Sequence, residues 1–351
     1  MRRDTADARA DDGIDRAALA RYLRWHLAGH DIPGLQLDAD IRVQPCGGAL
    51  QPRTHLIRVG GAEFILRLRS TASALPHEDV AREFRWLSLL HPIFPLAPRP
   101  LLLCDDDAVL GRPFFLMERR RGIAVRAQEP MALAGHREAR RQFSEAVVDT
   151  LVALHAVAID ESLAALDTPV GFVDRQVREW TTRWHSVRTE DVGDMDAVAL
   201  WLTAHQPAEA LEPAVVHGHF TLENLLLNPL EPAEITAVLD WKLAALGDPL
   251  TDVGALLAQW LPIVDDAGHD LRRSVTGSDG YLTRDALIQR YAAQSGRDLS
   301  EIDYYEVIAL FRLAVGALQA LPTAGADVEV WQRQRSARVR GFARRARALI
   351  G

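Results

Sequence analysis

Between Val215 and Asn228 the chain reads VVHGHFTLENLLLN, and a short apolar run later it reads AVLDW. Three residues in these segments have types and spacing that could do chemistry together. Asn224 lies five residues past His219, a separation at which one loop can bring two side chains round one site. Asp240 follows sixteen residues past Asn224, at the end of an apolar strand-like stretch. An amide oxygen and a carboxylate are hard donors, and Mg²⁺ needs few protein oxygens when phosphate and water complete its shell. A histidine, with an unperturbed pKa of about 6.5, can accept a proton at neutral pH. Metal ligands and a base are parts that phosphoryl transfer from ATP requires, along with a cation to orient the phosphates. Taken singly, Asn224 reads as a turn residue and Asp240 as a helix cap. Their joint spacing favours a site.

The bulk of the sequence narrows the class. A chain of 351 residues, 48% hydrophobic, can bury a sizeable core in one large domain or two lobes. A net charge of −8 argues against a general nucleic-acid binder. Two widely spaced cysteines, Cys46 and Cys104, make no disulfide framework and suit a reducing, cytoplasmic setting. No apolar run is long enough for a signal peptide at the start or a membrane span elsewhere. No His/Cys cluster has zinc spacing. Lysine and arginine total 40, yet Lys242 is the only lysine, so any cation that grips a phosphate earlier in the chain must be arginine.

The elements that must position these residues follow from periodicity. Residues 1–15 are charged and read as a flexible tail. Arg16 to Ala28 is an amphipathic helix. Strands separated by glycine turns follow, with Gly60-Gly61 as a hairpin signal. Helical period returns from His77 to Leu90, and two strands then flank the DDD turn at residues 105–107. After Gly122 the pattern is mainly helical, over His136–Val157, Phe172–Val187, Asp194–His205, Thr283–Ser295, Glu301–Leu321 and Val328–Ile350. Short strand-like pieces (AVVHGH, NLLLN, EITAVLDW) surround the opening motif. The plan is α+β in two lobes: residues 16–120 form a small β-rich N-lobe and residues 121–351 a larger, mostly helical C-lobe.

The run VVHGHFTLENLLLNP…ITAVLDWKLAALGDPLTDVGALL resembles the aminoglycoside phosphotransferase and choline kinase superfamily, whose fold is protein-kinase-like. It is most similar to the group associated with acyl-CoA dehydrogenases, with the approximate pattern HGDxxxxN, AVLDWE, LGDPLxDLG. GGALQPRTHLIRV, FILRLR, HEDVAREFRWL, GRPFFLME and GFVDRQVREW resemble further motifs of that group, over about Ile41 to Leu257. The resemblance implies roles. Arg67 takes the place of the ATP-binding lysine and clamps phosphate, with Glu83 as its helix partner. Met117 and Glu118 form the hinge that receives adenine through backbone hydrogen bonds. Gly47 and Gly48 open the loop over the phosphates, although Pro52 removes one donor from it. ATP and Mg²⁺ are the implied cofactors. The implied partner is a small-molecule hydroxyl acceptor, an acyl-CoA-like or other lipid-like alcohol. Asp248 and Asp252 brace the catalytic loop and cap the next helix. His77 and His155 read as structural histidines.

Two positions depart from the pattern. His219 stands where the group has its catalytic Asp, and Lys242 stands where it has Glu after DW. A histidine can act as a base but brings no fixed negative charge to a metal site. General-base help is typically worth about 10²–10⁴-fold, whereas positioning and charge neutralisation carry most of this chemistry. Three readings therefore stay open: an active phosphotransferase, a weak or inactive pseudokinase that binds nucleotide or ligand, and a kinase fold turned to other chemistry.

Overall fold

The computed structural model describes residues 14–46, 54–69, 80–126, 128–188, 193–210, 212–260, 262, 274–320 and 327–351. The expected tail, the glycine loop with Gly47 and Gly48, and His77 lie outside them, apart from Ile14 and Asp15 of the tail. The chain divides into two compact units, residues 1–88 with 98–119, and residues 89–97 with 120–351.

In the first unit, α1 (Arg16–His26) starts where Asp15 accepts the backbone N–H groups of Ala17 and Ala18, both at 2.9 Å. Strands β1 (Ile41–Pro45), β2 (Thr54–Val59) and β3 (Ala62–Leu68) follow, then α2 (Val80–Leu90). Next come β4 (Pro100–Cys104), the single helical turn α3 (Asp107–Leu110) and β5 (Phe114–Glu118). The five strands form one antiparallel sheet in the order β1-β2-β3-β5-β4. The β2–β3 hairpin turns on Gly60-Gly61, with Val59 opposite Ala62 and Gly60 at φ 60°. Alternation along a strand sends successive side chains to opposite faces. In β5, Phe114 meets Tyr22 of α1 at 5.5 Å and Phe115 meets Phe84 of α2 at 6.0 Å. The sheet is thus covered by a helix on each face. The DDD segment holds more than a turn: Asp106 caps α3 by accepting from Ala108 N–H, and Gly111 ends it at φ 73°.

The second unit begins its own elements with β6 (Ile123–Ala124), α4 (Arg137–His155), α5 (Glu161–Ala164), α6 (Phe172–Val187) and α7 (Gly193–Ala204). Then come β7 (Ala214–Val216), β8 (Leu225–Leu227), β9 (Ile235–Val238) and β10 (Ala245–Gly247), and the helices α8 (Leu250–Trp260), α9 (Arg284–Ser295), α10 (Ile302–Gln319) and α11 (Val328–Ile350). The strands make a two-stranded ribbon, β7 with β10, and a three-stranded sheet, β6-β8-β9. Strands β6 and β10, two and three residues long, were not legible in the sequence. The apolar helix α10 is buried along most of its length and packs on α8 and α11. Its buried Glu306 accepts from Arg284 of α9 at 2.8 Å and is also held by Arg345 of α11. Glycine permits a close approach in this unit. A Cβ added at Gly254 of α8 would lie 2.3 Å from the Tyr305 carbonyl oxygen.

Gly254→Ala tests that crossing. Alanine favours a helix interior by about 1 kcal/mol over glycine, while overpacking typically costs about 1–3 kcal/mol. The steric term should win, so the midpoint of urea unfolding should fall. A midpoint that stays or rises would show that α8 and α10 separate without cost.

Candidate active site

The segment from β7 to α8 is held in place by one carboxylate. Asp252, fully buried in the first turn of α8, accepts the backbone N–H of His217 at 2.6 Å and of Gly218 at 2.8 Å. His155 of α4 reaches the same carboxylate through Nε2 at 3.4 Å, and its Nδ1 pairs with the Tyr291 hydroxyl of α9 at 2.7 Å. Burial alone would raise the Asp252 carboxyl. The hydrogen bond from His155 and the donations from the loop outweigh it, and the group is held below the ordinary carboxylate range. Gly218 sits at φ 77°, and a Cβ there would lie 2.5 Å from the Leu243 carbonyl oxygen, so only glycine fits. The Gly218 carbonyl accepts from Arg312 of α10 at 2.6 Å. Arg312 also lies over the Trp180 ring at 5.1 Å, and burial pushes its pKa down to about 10.

His217 works through its ring. Nε2 lies 2.9 Å from the Leu239 carbonyl oxygen, which can only accept, so Nε2 carries the proton. Nδ1 is then free of hydrogen and accepts the His219 backbone N–H at 3.2 Å. Burial pushes the His217 pKa down, in keeping with this neutral tautomer.

His219 is thereby fixed from both sides of its backbone, because its carbonyl accepts from Asn224 Nδ2 at 3.0 Å. The Asn224 carbonyl in turn accepts from Leu239 N–H at 2.7 Å, which brings the start of β8 against the residue before Asp240. Asp240 has φ 68° and ψ 62°, and is the one non-glycine residue at positive φ among the described residues. Such backbone costs of order 1–3 kcal/mol and persists where the surroundings over-determine it. Its side chain is 5% exposed, and Oδ2 lies 3.1 Å from Lys242 Nζ. The His219 pKa is lowered to about 4, chiefly by burial; Asp240 pulls it up, while Arg312 and Lys242 push it down.

Asn224 and Asp240 suit a hard cation by donor type. The Asn224 NH₂ is spent on His219, which leaves Oδ1 as the acceptor, and Asp240 supplies a carboxylate. No group of three or more His, Cys, Asp or Glu among the described residues could hold a metal. A cation here would therefore complete its shell with phosphate and water.

In the first unit Arg67 and Glu83 also meet. Arg67 Nη2 donates to Glu83 Oε2 at 3.1 Å and Nη1 to Thr54 Oγ1 at 3.0 Å, with the Glu83 side chain 4% exposed. Met117 and Glu118 end β5. The Glu118 N–H is committed to the Arg99 carbonyl at 2.9 Å and its carboxylate accepts Arg99 N–H at 2.7 Å. Any backbone contact with adenine there falls to other groups of the segment. Gly47 and Gly48 lie outside the described residues.

Residue reasoning missed Arg312 and the His155–Tyr291 support of Asp252. Arg312 lies on α10, beyond the recognisable motifs. Trp180, the ring beneath it, lies within GFVDRQVREW and offered the nearest signal.

A small β-sheet unit and a mostly helical unit carrying this loop define a kinase-like phosphotransferase fold, and the comparisons agree. A crystal structure from Ralstonia eutropha, assigned to the aminoglycoside phosphotransferases, superposes with a TM-score of 0.72 at 25% identity. It covers 95% of this chain and 99% of that one. The GDP and kanamycin complex of APH(2″)-IIIa shares the fold, with a TM-score of 0.59 at 15% identity over 93% of this chain and 98% of that one. Residues 42–305 match the sequence profile of the Phosphotransferase enzyme family, APH, and the chain belongs to that family. Mouse acyl-CoA dehydrogenase family members 10 and 11 are each 30% identical to it over 89% of its length. The chain spans 28% and 40% of the lengths of those two relatives. No described helix is long and apolar enough to cross a membrane.

The lowered His219 pKa has a stability consequence. Folded His219 takes its proton only near pH 4, whereas an unfolded histidine takes it at about 6.5. Between those values the unfolded chain binds more protons at this residue, so the His219 contribution to stability is fully present above about pH 6.5 and is lost as pH falls towards 4. His219→Asn should flatten that decline in chemical denaturation. An unchanged slope would show that His219 titrates normally in the fold.

Proposed function

We propose that this chain transfers the terminal phosphoryl group of ATP, with Mg²⁺, to a hydroxyl of a small molecule. The observation that carries the reading is the Leu239 N–H to Asn224 carbonyl bond. It ties the Asn224 backbone to the residue before Asp240, while the Asn224 amide holds the His219 carbonyl. Bound MgATP supplies the phosphoryl group and neutralises its charge. In this reading Asn224 Oδ1 and Asp240 hold the metal, and Arg67, steadied by Glu83 and Thr54, orients the phosphates. Residues 16–120 serve as the nucleotide-binding lobe, with adenine received at Met117–Glu118. Residues 121–351 carry the catalytic loop and the acceptor pocket. His219, neutral at pH 7, would offer a lone pair to the acceptor hydroxyl and take its proton as the new P–O bond forms and the bond from the γ-phosphorus to the bridging oxygen breaks, releasing ADP.

The GDP in the APH(2″)-IIIa complex supports nucleotide use. The names of the mouse relatives favour an acyl-CoA-like or other lipid-like alcohol as acceptor over an aminoglycoside. A second reading, nucleotide binding with little or no turnover, is favoured by one feature: His219 brings no negative charge to the metal.

Two measurements test these roles. Arg67→Ala should weaken ATP binding in calorimetry more than adenosine binding, since adenosine has no phosphate to lose; equal weakening would remove Arg67 from the phosphates. His219→Asp should raise ATP turnover by about 10²-fold if histidine is a poor base in a complete site. A similar or lower rate would make His219 the working base. MgATP binding with no turnover in either protein would favour the second reading.

A further inference from the structure

We propose that Lys242 is a resident counter-cation of the Asp240 carboxylate, which a divalent metal must displace before it can use that carboxylate fully. The proposal rests on the reading of Asp240 as a metal ligand.

The geometry is specific. Lys242 Nζ stands 3.1 Å from Asp240 Oδ2, at a carboxylate whose side chain is only 5% exposed. The backbone on both sides is fixed. Asp240 is locked at φ 68°, and the one-turn 3₁₀ helix Trp241–Leu243 follows directly. Trp241 is fully buried, donates its indole N–H to the Val238 carbonyl at 2.7 Å, and packs edge-on to His217 at 4.8 Å. The Lys242 Cα therefore cannot wander, while its four-carbon stem can swing, with the side chain 32% exposed.

The choice of residue points the same way. Every other cation among the lysines and arginines of this chain is arginine. An arginine here could close both carboxylate oxygens with its planar fork. A lysine places a compact point charge at one oxygen and can leave. The ammonium cancels the charge of Asp240, so an arriving cation exchanges with a charge already in place instead of meeting a bare carboxylate. Once displaced, the ammonium has three donors to offer an oxyanion, the chemistry a nucleotide's phosphates present. Metal and nucleotide binding should thus favour each other, and that coupling should depend on Lys242.

The test uses the full chain and Mn²⁺ as the probe, followed by the EPR signal of the free ion, first alone and then with a non-hydrolysable ATP analogue. Lys242→Met keeps the stem and removes the charge. It should bind Mn²⁺ alone about tenfold more tightly than the parent chain, and the analogue should enhance its Mn²⁺ binding less. Lys242→Arg, which keeps a cation at the carboxylate, should bind Mn²⁺ no more tightly than the parent. Asp240→Asn should remove Mn²⁺ binding in every background. If Asp240→Asn removes it but Lys242→Met binds no more tightly than the parent, the Asp240 ligand stands and the proposal for Lys242 falls. If no protein binds Mn²⁺, or binding ignores Asp240→Asn, the metal reading fails and takes the proposal with it.

Discussion

The buried carboxylate of Asp252 is the constraint on which the candidate site depends. It stands in the first turn of α8, where the helix dipole favours a negative charge. Two consecutive loop N–H groups, of His217 and Gly218, spend their donors on it, and His155 closes it from α4. From there the order of the loop passes outward by single hydrogen bonds. The fixed His217 ring accepts the N–H of His219; the His219 carbonyl takes the amide of Asn224; the Asn224 carbonyl takes the N–H of Leu239, next to Asp240. Each bond is worth only about 0.5–1.5 kcal/mol net, but each removes a freedom from the next residue in line.

Gly218 shows how tertiary packing reaches this chain of bonds. Its N–H points to the anion Asp252 on α8, and its carbonyl accepts from the cation Arg312 on α10. The two successive peptide groups that flank the Gly218 Cα are therefore held by opposite charges on two helices. Those helices cross closely because Gly254 lets the Tyr305 backbone approach. The spacing of α8 and α10 and the position of the loop are one problem, solved by a glycine in each: Gly254 at the crossing and Gly218 under Leu243.

This explains what could be read from the sequence and what could not. The hairpin at Gly60-Gly61, the β-rich first unit, α6 and α11 all follow from local periodicity and turn chemistry, which one sequence carries. The meeting of Asn224 with the Asp240 segment was legible because its spacing belongs to a short loop-strand-turn-strand unit. Strands β6 and β10 were not, since two or three residues show no alternation. Helix α3 was hidden because Asp106 serves as readily in a turn as at a helix cap. Arg312, Tyr291 and the partners of His155 were beyond reach in principle: each contact joins residues 94 to 136 positions apart, and no local pattern marks it.

What distinguishes this site is charge and not position. The His219 backbone is held on both sides, by the His217 ring and the Asn224 amide, and Asp240 is left-handed. The pattern it resembles carries a carboxylate where His219 stands and another where Lys242 stands. Both differences move the site in the same direction, each removing a negative charge and one adding a positive charge next to Asp240. Catalysis of phosphoryl transfer combines positioning with electrostatic stabilisation. The hydrogen-bonded scaffold that holds this loop needs neither carboxylate. The scaffold hangs from Asp252 and the His219 backbone, so its hydrogen bonds do not run through the side chains at 219 and 242. A site whose geometry and charge are carried by different residues can alter its chemistry one charge at a time.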